Sequence, residues 1–359
     1  MDTARIIEQI RKGEGLNVEF KTSFNVVCIE TLTAFANTKG GNLILGVNDN
    51  QEVVGIKLAK ETLQNIVNEI KQKTEPAIVP GVEAFEIEGK TVVCVDVPEY
   101  PIKPVSFQGR YYKRVENSNH HLSPVEISDM HLRSMNASWD MFPDPRHHLE
   151  DLDFDLIERT IELVWKNGIT TGSGVLEYLK KKNLLNEDGT ITNAAYLLFA
   201  KEDNLLTTVE LGFFQNDVII KDSARTKRNL IIEVEEVMSF VKKHINKALI
   251  ITGNPRHEER WDYPLDAIRE IVMNMIVHRD YRSPYDSIVK VYPDHIDFYN
   301  PGKLPDEITV DDLLSNHYRS NPRNKQVADV FKDMGLIEKY GSGIHRVLDG
   351  FREYGIADP

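Results

Sequence analysis

The stretch Arg269-Glu270-Ile271-Val272-Met273-Asn274-Met275-Ile276-Val277-His278-Arg279-Asp280-Tyr281 sets three polar side chains four residues apart in a largely apolar run. Ile268, Ile271, Val272, Met275 and Ile276 recur at helical spacing, which predicts an amphipathic helix. Glu270, Asn274 and His278 then share one polar edge of it. A carboxylate with an amide one turn later suits a particular chemistry. The Glu can orient and deprotonate a water, and the Asn oxygen can hold a Mg²⁺ that bridges nucleotide phosphates. For a lone E-x-x-x-N the commoner outcome is a solvated polar face, so the surrounding order of elements has to decide.

Downstream, residues Ser287 to Tyr299 alternate apolar and polar around Pro293-Asp294, the pattern of a hairpin. It runs into Asn300-Pro301-Gly302, a turn at a strand end where glycine permits close backbone approach. Glu338-Lys339-Tyr340-Gly341-Ser342-Gly343-Ile344-His345-Arg346-Val347 then places a glycine pair at a helix start, where free N–H groups form a natural phosphate cradle. A lone G-x-G carries little. The sequence of helix, strand, glycine turn and glycine-opened helix carries much more.

That order resembles the GHKL (Bergerat-fold) ATPases. It is more similar still to a bacterial group described as RecG-like C-terminal domains or ATP-binding transcriptional regulators. The phrases that carry the resemblance are E-x-x-x-N-x-x-x-H-R-D-Y, N-P-G and G-S-G-I, between about Pro255 and Tyr354. The resemblance implies that Glu270 is the water-activating base and Asn274 the Mg²⁺ ligand. Gly341 and Gly343 would belong to a phosphate-facing lid, with His278, Asn300 and Gly302 completing the ATP site. In the family an Asp usually stands where this chain has Asn300, and an amide can accept or donate, so adenine selectivity is less strictly specified. No G-x-x-x-x-G-K-[ST] occurs, so the helicase label implies no P-loop motor. Thr171-Gly172-Ser173-Gly174 lacks the lysine and reads as a turn.

At the other end, Thr3 to Lys12 turns Ile6, Ile7 and Ile10 inward as a short helix closed by Gly13. Val18 and Phe20 alternate with Glu19 and Lys21 as a half-buried strand. Cys28, Leu32 and Phe35 mark the face of a helix over Asn25 to Thr38, ended by Gly40-Gly41, and Leu43 to Val47 is a buried strand. The phrases E-F-K, A-F-A-N-T-x-G-G and G-V-x-D resemble the Schlafen AlbA_2 domain over residues 10 to 120. Schlafen proteins that cut RNA carry three metal-binding carboxylates, and Glu14, Glu19 and Asp49 fall at the matching positions. The resemblance therefore implies a Mg²⁺- or Mn²⁺-dependent nuclease, since three converging carboxylates need a cation between them. The plainer alternative pairs Glu19 with Lys21 or another cation, puts Asp49 in a turn and leaves Glu14 solvated.

Basic residues interleave with aromatics at Lys103-Pro104 and Arg110-Tyr111-Tyr112-Lys113-Arg114, a composition suited to phosphate contact and base stacking. Lys103, Arg110, Lys113 and Arg114 are thus the nucleic-acid candidates. Strand alternation equally allows Tyr111 inward with the charges outward. His120-His121 has no further His or Cys at ligand spacing, which excludes a zinc site from the reading.

The chain has 359 residues, 41% of them hydrophobic, enough for two or three domains. A formal charge of −13 argues against indiscriminate coating of nucleic acid and requires a local basic patch. Cys28 and Cys94 sit in apolar patterns and imply no disulfide framework, which fits a cytoplasmic protein. The polar start MDTARIIEQIRKGEG is no signal peptide, and no apolar run is long enough to span a membrane. MFPDPRHH, from Met141 to His148, reads as a linker. Residues 151 to 185 read as helical, Thr192 to Phe199 precede a sheet continued by Val209 to Phe214, and a helix follows from about Leu230 to Ala248. Arg225, Lys227 and Arg228 read as a solvated loop. Ile356 to Pro359 read as the start of another segment, as in a fragment of a longer chain or a family member trimmed to its minimal form.

The expectation is an α/β (α+β) protein: an AlbA_2 nucleic-acid module over 1–140, a connecting region over 141–250, and a Bergerat-like α/β sandwich over 251–359. ATP with Mg²⁺ (or Mn²⁺) would control a module that binds DNA or RNA, in a homo-oligomer. Three versions stay open: a slow ATPase with a metal-dependent endonuclease, a non-cutting ATP-binding transcriptional regulator, and an oligomeric scaffold with degenerate sites.

Overall fold

A computed structural model describes residues 3–170, 174–250, 258–305, 308–315, 318, 321–337 and 343–359. The chain divides into two compact units, Met1–Ala137 and Ser138–Pro359.

In the first unit the elements run α1 (Thr3–Lys12), β1 (Val18–Lys21), α2 (Val26–Asn37), β2 (Gly41–Leu45), α3 (Thr62–Lys73), β3 (Thr74–Glu75), β4 (Gly81–Ile87), β5 (Lys90–Val97), β6 (Ser106–Phe107), β7 (Arg110–Val115), β8 (Ser118–His121) and α4 (Pro124–Ser134). One sheet has the order β1-β2-β5-β4, with β1 and β2 parallel and the rest antiparallel; a second has the order β3-β6-β7-β8. Alternation along β2 sends Leu43 and Leu45 into one core and Ile44 into another, so this strand is buried on both faces. α1 covers one face through Ile6 and Ile10.

α2 fills the other face and also lies against β7, because its two sides pack with Val93 and Val95 of the first sheet and Phe107 and Tyr112 of the second. It is therefore buried nearly all round. Thr31, Thr33 and Asn37 go in with Cys28, Leu32 and Phe35, where the periodicity marks only a single face. Two of these polar groups are satisfied in different ways: Thr33 Oγ1 donates within the helix to Ile29 O at 2.7 Å, and Asn37 Nδ2 donates to the distant Val105 O and Tyr112 O at 2.8 and 2.9 Å. Asn25 caps the helix start, as its short polar side chain favours.

The second unit runs α5 (Phe154–Lys166), α6 (Val175–Lys181), α7 (Asn193–Phe199), β9 (Val209–Asn216), β10 (Ile219–Thr226), α8 (Leu230–His244), β11 (Lys247–Ile250), β12 (Glu258–Trp261), α9 (Leu265–His278), β13 (Ser287–Val291), β14 (Ile296–Tyr299), α10 (Val310–Ser315), α11 (Lys325–Asp333) and α12 (Gly343–Glu353). The expected helical stretch over 151–185 is two helices, α5 and α6. The hairpin at Pro293-Asp294 forms as expected, closed by Tyr292 N–H donating to His295 O at 2.8 Å. β13 pairs in parallel with β9, giving a sheet of order β10-β9-β13-β14.

One core joins α5, α7 and α8 to α9, α11, α12 and this sheet, from Leu152 to Phe351. The region set apart as 141–250 thus shares its core with residues 251–359, and the break between compact units falls at Ala137/Ser138 alone. The apolar faces of α5, α7 and α8 are closed by the later helices, which is why the middle stretch does not stand as a layer of its own. Among the described residues no helix is long and apolar enough to cross a membrane.

Candidate functional site

α9 presents Ala267, Ile268, Val272, Met275 and Ile276 to the core, which leaves Glu270 and Asn274 one turn apart on the opposite edge. The Asn274 amide nitrogen lies 3.4 Å from Glu270 Oε1. α12 packs directly against this edge. A Cβ at Gly343 would overlap the Glu270 carboxylate, so with glycine here the carboxylate keeps its place against the helix start. Arg346, one turn further along α12, donates from Nη2 to Glu270 Oε2 at 2.8 Å.

These groups form one wall of a cavity of about 450 Å³, in the usual range for small-ligand sites. The facing wall is α11, whose Lys325, Ala328, Asp329 and Lys332 recur at i, i+3, i+4 and i+7 and line the cavity while Val327, Val330 and Phe331 are buried behind them. Leu304, Ile308 and Leu313 supply apolar lining, with Tyr318 beside them. Lysines from one helix and an arginine from another, with an apolar patch adjoining, can hold a ligand that is part polyanion and part ring.

His278 also lines this cavity. Its surface opens on the cavity side, but desolvation by the walls, with a smaller push from the Arg323 guanidinium, brings its pKa down to about 4. It is neutral at pH 7 and acts there as a hydrogen-bonding group, not as a cation. The rest of the H-R-D-Y phrase builds the end of α9. Arg279 is buried and donates to Thr208 O at 2.8 Å; Asp280 accepts from Arg282 Nε and Nη2 at 2.8 Å each; Tyr281 Oη donates to Ile276 O at 2.9 Å. Asn324 Nδ2 donates to Val277 O and Arg279 O, satisfying carbonyls that the helix end leaves open.

The Asn300-Pro301-Gly302 turn docks on this same end. Pro301 O accepts from Asp280 N–H at 2.9 Å, and Gly302, at φ +117°, sits against Asp280 and Arg323. Neither Asn300 nor Gly302 lines the cavity with Glu270. The Asn300 Oδ1 accepts from Ser287 Oγ at 2.9 Å, which takes one of its two lone pairs. Gly341 and the turn at Thr171 to Ser173 lie outside the described residues.

In the first unit the three candidate carboxylates are not gathered into a metal site: among the described residues no group of three or more His, Cys, Asp or Glu is placed to hold a metal. Glu19 is 8% exposed and accepts from Lys21 Nζ and Arg114 Nη2, at 2.5 Å each. Glu14 Oε1 accepts from Phe20 N–H at 2.8 Å, while Asp49 stands exposed in the turn after β2. The basic candidates also divide. Arg114 is 3% exposed and bonds Glu19, Gly15 O and Asn119 Oδ1, so it is a core cation. Lys113 pairs with Glu126 at 2.6 Å, Lys103 pairs with Glu99, and Arg110 is exposed on β7. β7 turns Tyr112 and Arg114 inward, the opposite parity to the one that buries Tyr111.

Lys325, Lys332 and Tyr318 carry no motif and escape a reading of the sequence, and Arg346 stands in the quoted helix start without a role there. The 325/328/329/332 spacing is the one signal that could have shown the two lysines, as a polar stripe opposite a buried face.

Residues 14–123 match the family described as Schlafen, AlbA_2, and residues 287–359 match the one described as "Putative ATP-dependent DNA helicase recG C-terminal". The chain carries both regions. The second match begins at β13 and excludes α9. No curated protein matches the chain. Among solved structures, the DIP2311 protein of Corynebacterium diphtheriae is similar at TM-score 0.50 and 20% identity, over 96% of this chain and 72% of that one. The N-terminal domain of a RecG-related protein from Nitrosomonas europaea is similar at TM-score 0.26 and 22% identity, over 34% of this chain and 95% of that one. The first likeness is one of fold, and the second carries no argument.

Proposed function

We propose that the cavity bounded by α9, α11 and α12 binds ATP with Mg²⁺, and that this binding governs a nucleic-acid contact made by the AlbA_2 unit. The observation that carries the reading is the Glu270–Asn274 pair held against Gly343, across a cavity from Lys325 and Lys332. The residues fit the group: glycine leaves the room, lysines balance phosphate charge, and an amide that gives its nitrogen to Glu270 keeps its oxygen for a cation. When bound, the nucleotide and its ion supply a phosphoanhydride and a polarising charge. Asn274 would hold the ion, Glu270 would orient a water and take its proton, and Leu304, Ile308 and Leu313 would keep bulk water away. Asn300 does not line the cavity, so base selectivity falls to the groups that do.

For the first unit, the pairing of Glu19 with Lys21 and Arg114 favours the regulator that binds without cutting over the metal-dependent nuclease. Two buried free cysteines accord with work in a reducing cytoplasm, and a homo-oligomeric form is part of the same proposal.

The test is calorimetry with ATP and Mg²⁺. Asn274→Ala should weaken Mg²⁺-linked binding about tenfold, equivalent to roughly 1.4 kcal/mol. Glu270→Gln should retain binding and lose hydrolysis, which in the wild type is slow, roughly 1 s⁻¹ or below. Absence of ATP, ADP and GTP binding up to millimolar concentration would end the reading.

A further inference from the structure

Gly343 and Arg346 lie three residues apart on α12, hence on one face, and that face is turned to Glu270. Arg346 Nη2 is 2.8 Å from Glu270 Oε2, with the arginine side chain 40% exposed and the glutamate 14%. The carboxylate is thus enclosed and held, and its partner reaches toward the cavity that both residues line. We propose that Arg346 is the specificity residue by which the site tells a nucleoside triphosphate from a diphosphate, exchanging its ion pair with Glu270 for the terminal phosphate. This rests on the nucleotide reading of the cavity.

The argument is one of reach. A residue that orients water toward the terminal phosphorus must stand beside that phosphate. A group bonded to Glu270 therefore stands beside the third phosphate and away from the inner two. A guanidinium keeps its charge at every accessible pH and offers five N–H donors in a planar fork suited to phosphate as well as carboxylate. A triphosphate brings a more highly charged competitor to that fork than the Glu270 carboxylate, and Arg346 moves to it. A diphosphate leaves the place empty and the Arg346–Glu270 pair closed. The pair then also keeps Glu270 from acting as a base until the third phosphate is present.

The test measures Kd for ADP and for a non-hydrolysable ATP analogue, each with Mg²⁺, in the full chain. Wild type should prefer the triphosphate by about tenfold or more. Arg346→Gln should bring that ratio to about twofold by weakening the triphosphate alone, while Arg346→Lys retains part of the preference. Glu270→Gln should tighten the triphosphate about threefold to tenfold, because it frees Arg346, and the gain should vanish in the double variant, a non-additivity that a merely structural arginine would not produce. If Arg346→Gln fails to fold, the Arg346→Lys and Glu270→Gln arms decide. A wild type that binds both nucleotides equally, an Arg346→Gln that loses both in proportion, or a Glu270→Gln with no gain overturns the proposal and leaves the nucleotide reading standing. A wild type that binds neither removes both.

Discussion

Glu19 and Arg114, 95 positions apart, meet at 2.5 Å between Oε2 and Nη2 and tie β1 of one sheet to β7 of another. The guanidinium also donates to Gly15 O at 3.1 and 3.2 Å and lies over the Phe35 ring at 5.3 Å from its centroid. A cation so enclosed holds the strands around α2 and has no donors turned to a nucleic-acid backbone.

Arg114→Ala should therefore act on stability. Removing the guanidinium leaves the buried Glu19 carboxylate with Lys21 as its remaining cation, so the cost is about 2–3 kcal/mol, short of the roughly 3–5 kcal/mol of a wholly unpaired buried charge. Urea unfolding of the variant measures it. A loss below about 1 kcal/mol, the range of an exposed pair, would return Arg114 to the phosphate-contact candidates.

Arg110 is the candidate left exposed on the same strand. Arg110→Glu should weaken single-stranded nucleic-acid binding and lower the slope of log affinity against log salt by about 0.7 per lost phosphate contact, with unfolding unchanged. An unchanged slope would move the contact away from β7.

The strand β7 also shows where the sequence stops being readable. Arg110-Tyr111-Tyr112-Lys113-Arg114 places an aromatic and a cation in either parity, so alternation alone cannot say which row is buried. α2, packed on the strand from elsewhere in the chain, selects Tyr112 and Arg114. The helix α1 and the polar edge of α9 were legible because each depends on its own residues, apolar positions at helical spacing. The lysine stripe of α11 was not, because Lys325 and Lys332 acquire meaning only when α9 and α12 close a cavity before them. The shared core of the second unit was hidden for the same reason: the partners of Val234 and Val237 come from later helices.

A buried carboxylate in that core gives a pH prediction. Glu233 is 1% exposed, and neither of its oxygens has a hydrogen-bond partner among the described residues. Burial raises its pKa well above the ordinary glutamate value, against a smaller opposing pull from Arg279. The folded state thus keeps a proton that the unfolded chain gives up above about pH 4.3. Stability from this group is full below that pH and falls as pH rises toward the folded pKa. Glu233→Gln should remove that slope and stabilise the protein more at pH 8 than at pH 5, read by urea midpoints. An equal effect at both would mean that Glu233 is ionised when folded.

Gly343→Ala tests the closeness of α12 to α9 with a single methyl group. Residue 343 is the first of α12, where alanine is the better helix former. Steric overlap with the Glu270 carboxylate remains. Either the helix start withdraws, at a cost of about 1–3 kcal/mol for an overfilled contact, or Glu270 swings away and breaks its bond to Arg346. Both outcomes displace the group assigned to water activation. ATP hydrolysis should fall at least about tenfold, with unfolding free energy lowered by no more than that contact. Guanidinium unfolding and a steady-state phosphate assay on the same preparation measure the two. Full activity with unchanged stability would mean that α12 stands further from Glu270 than the geometry gives.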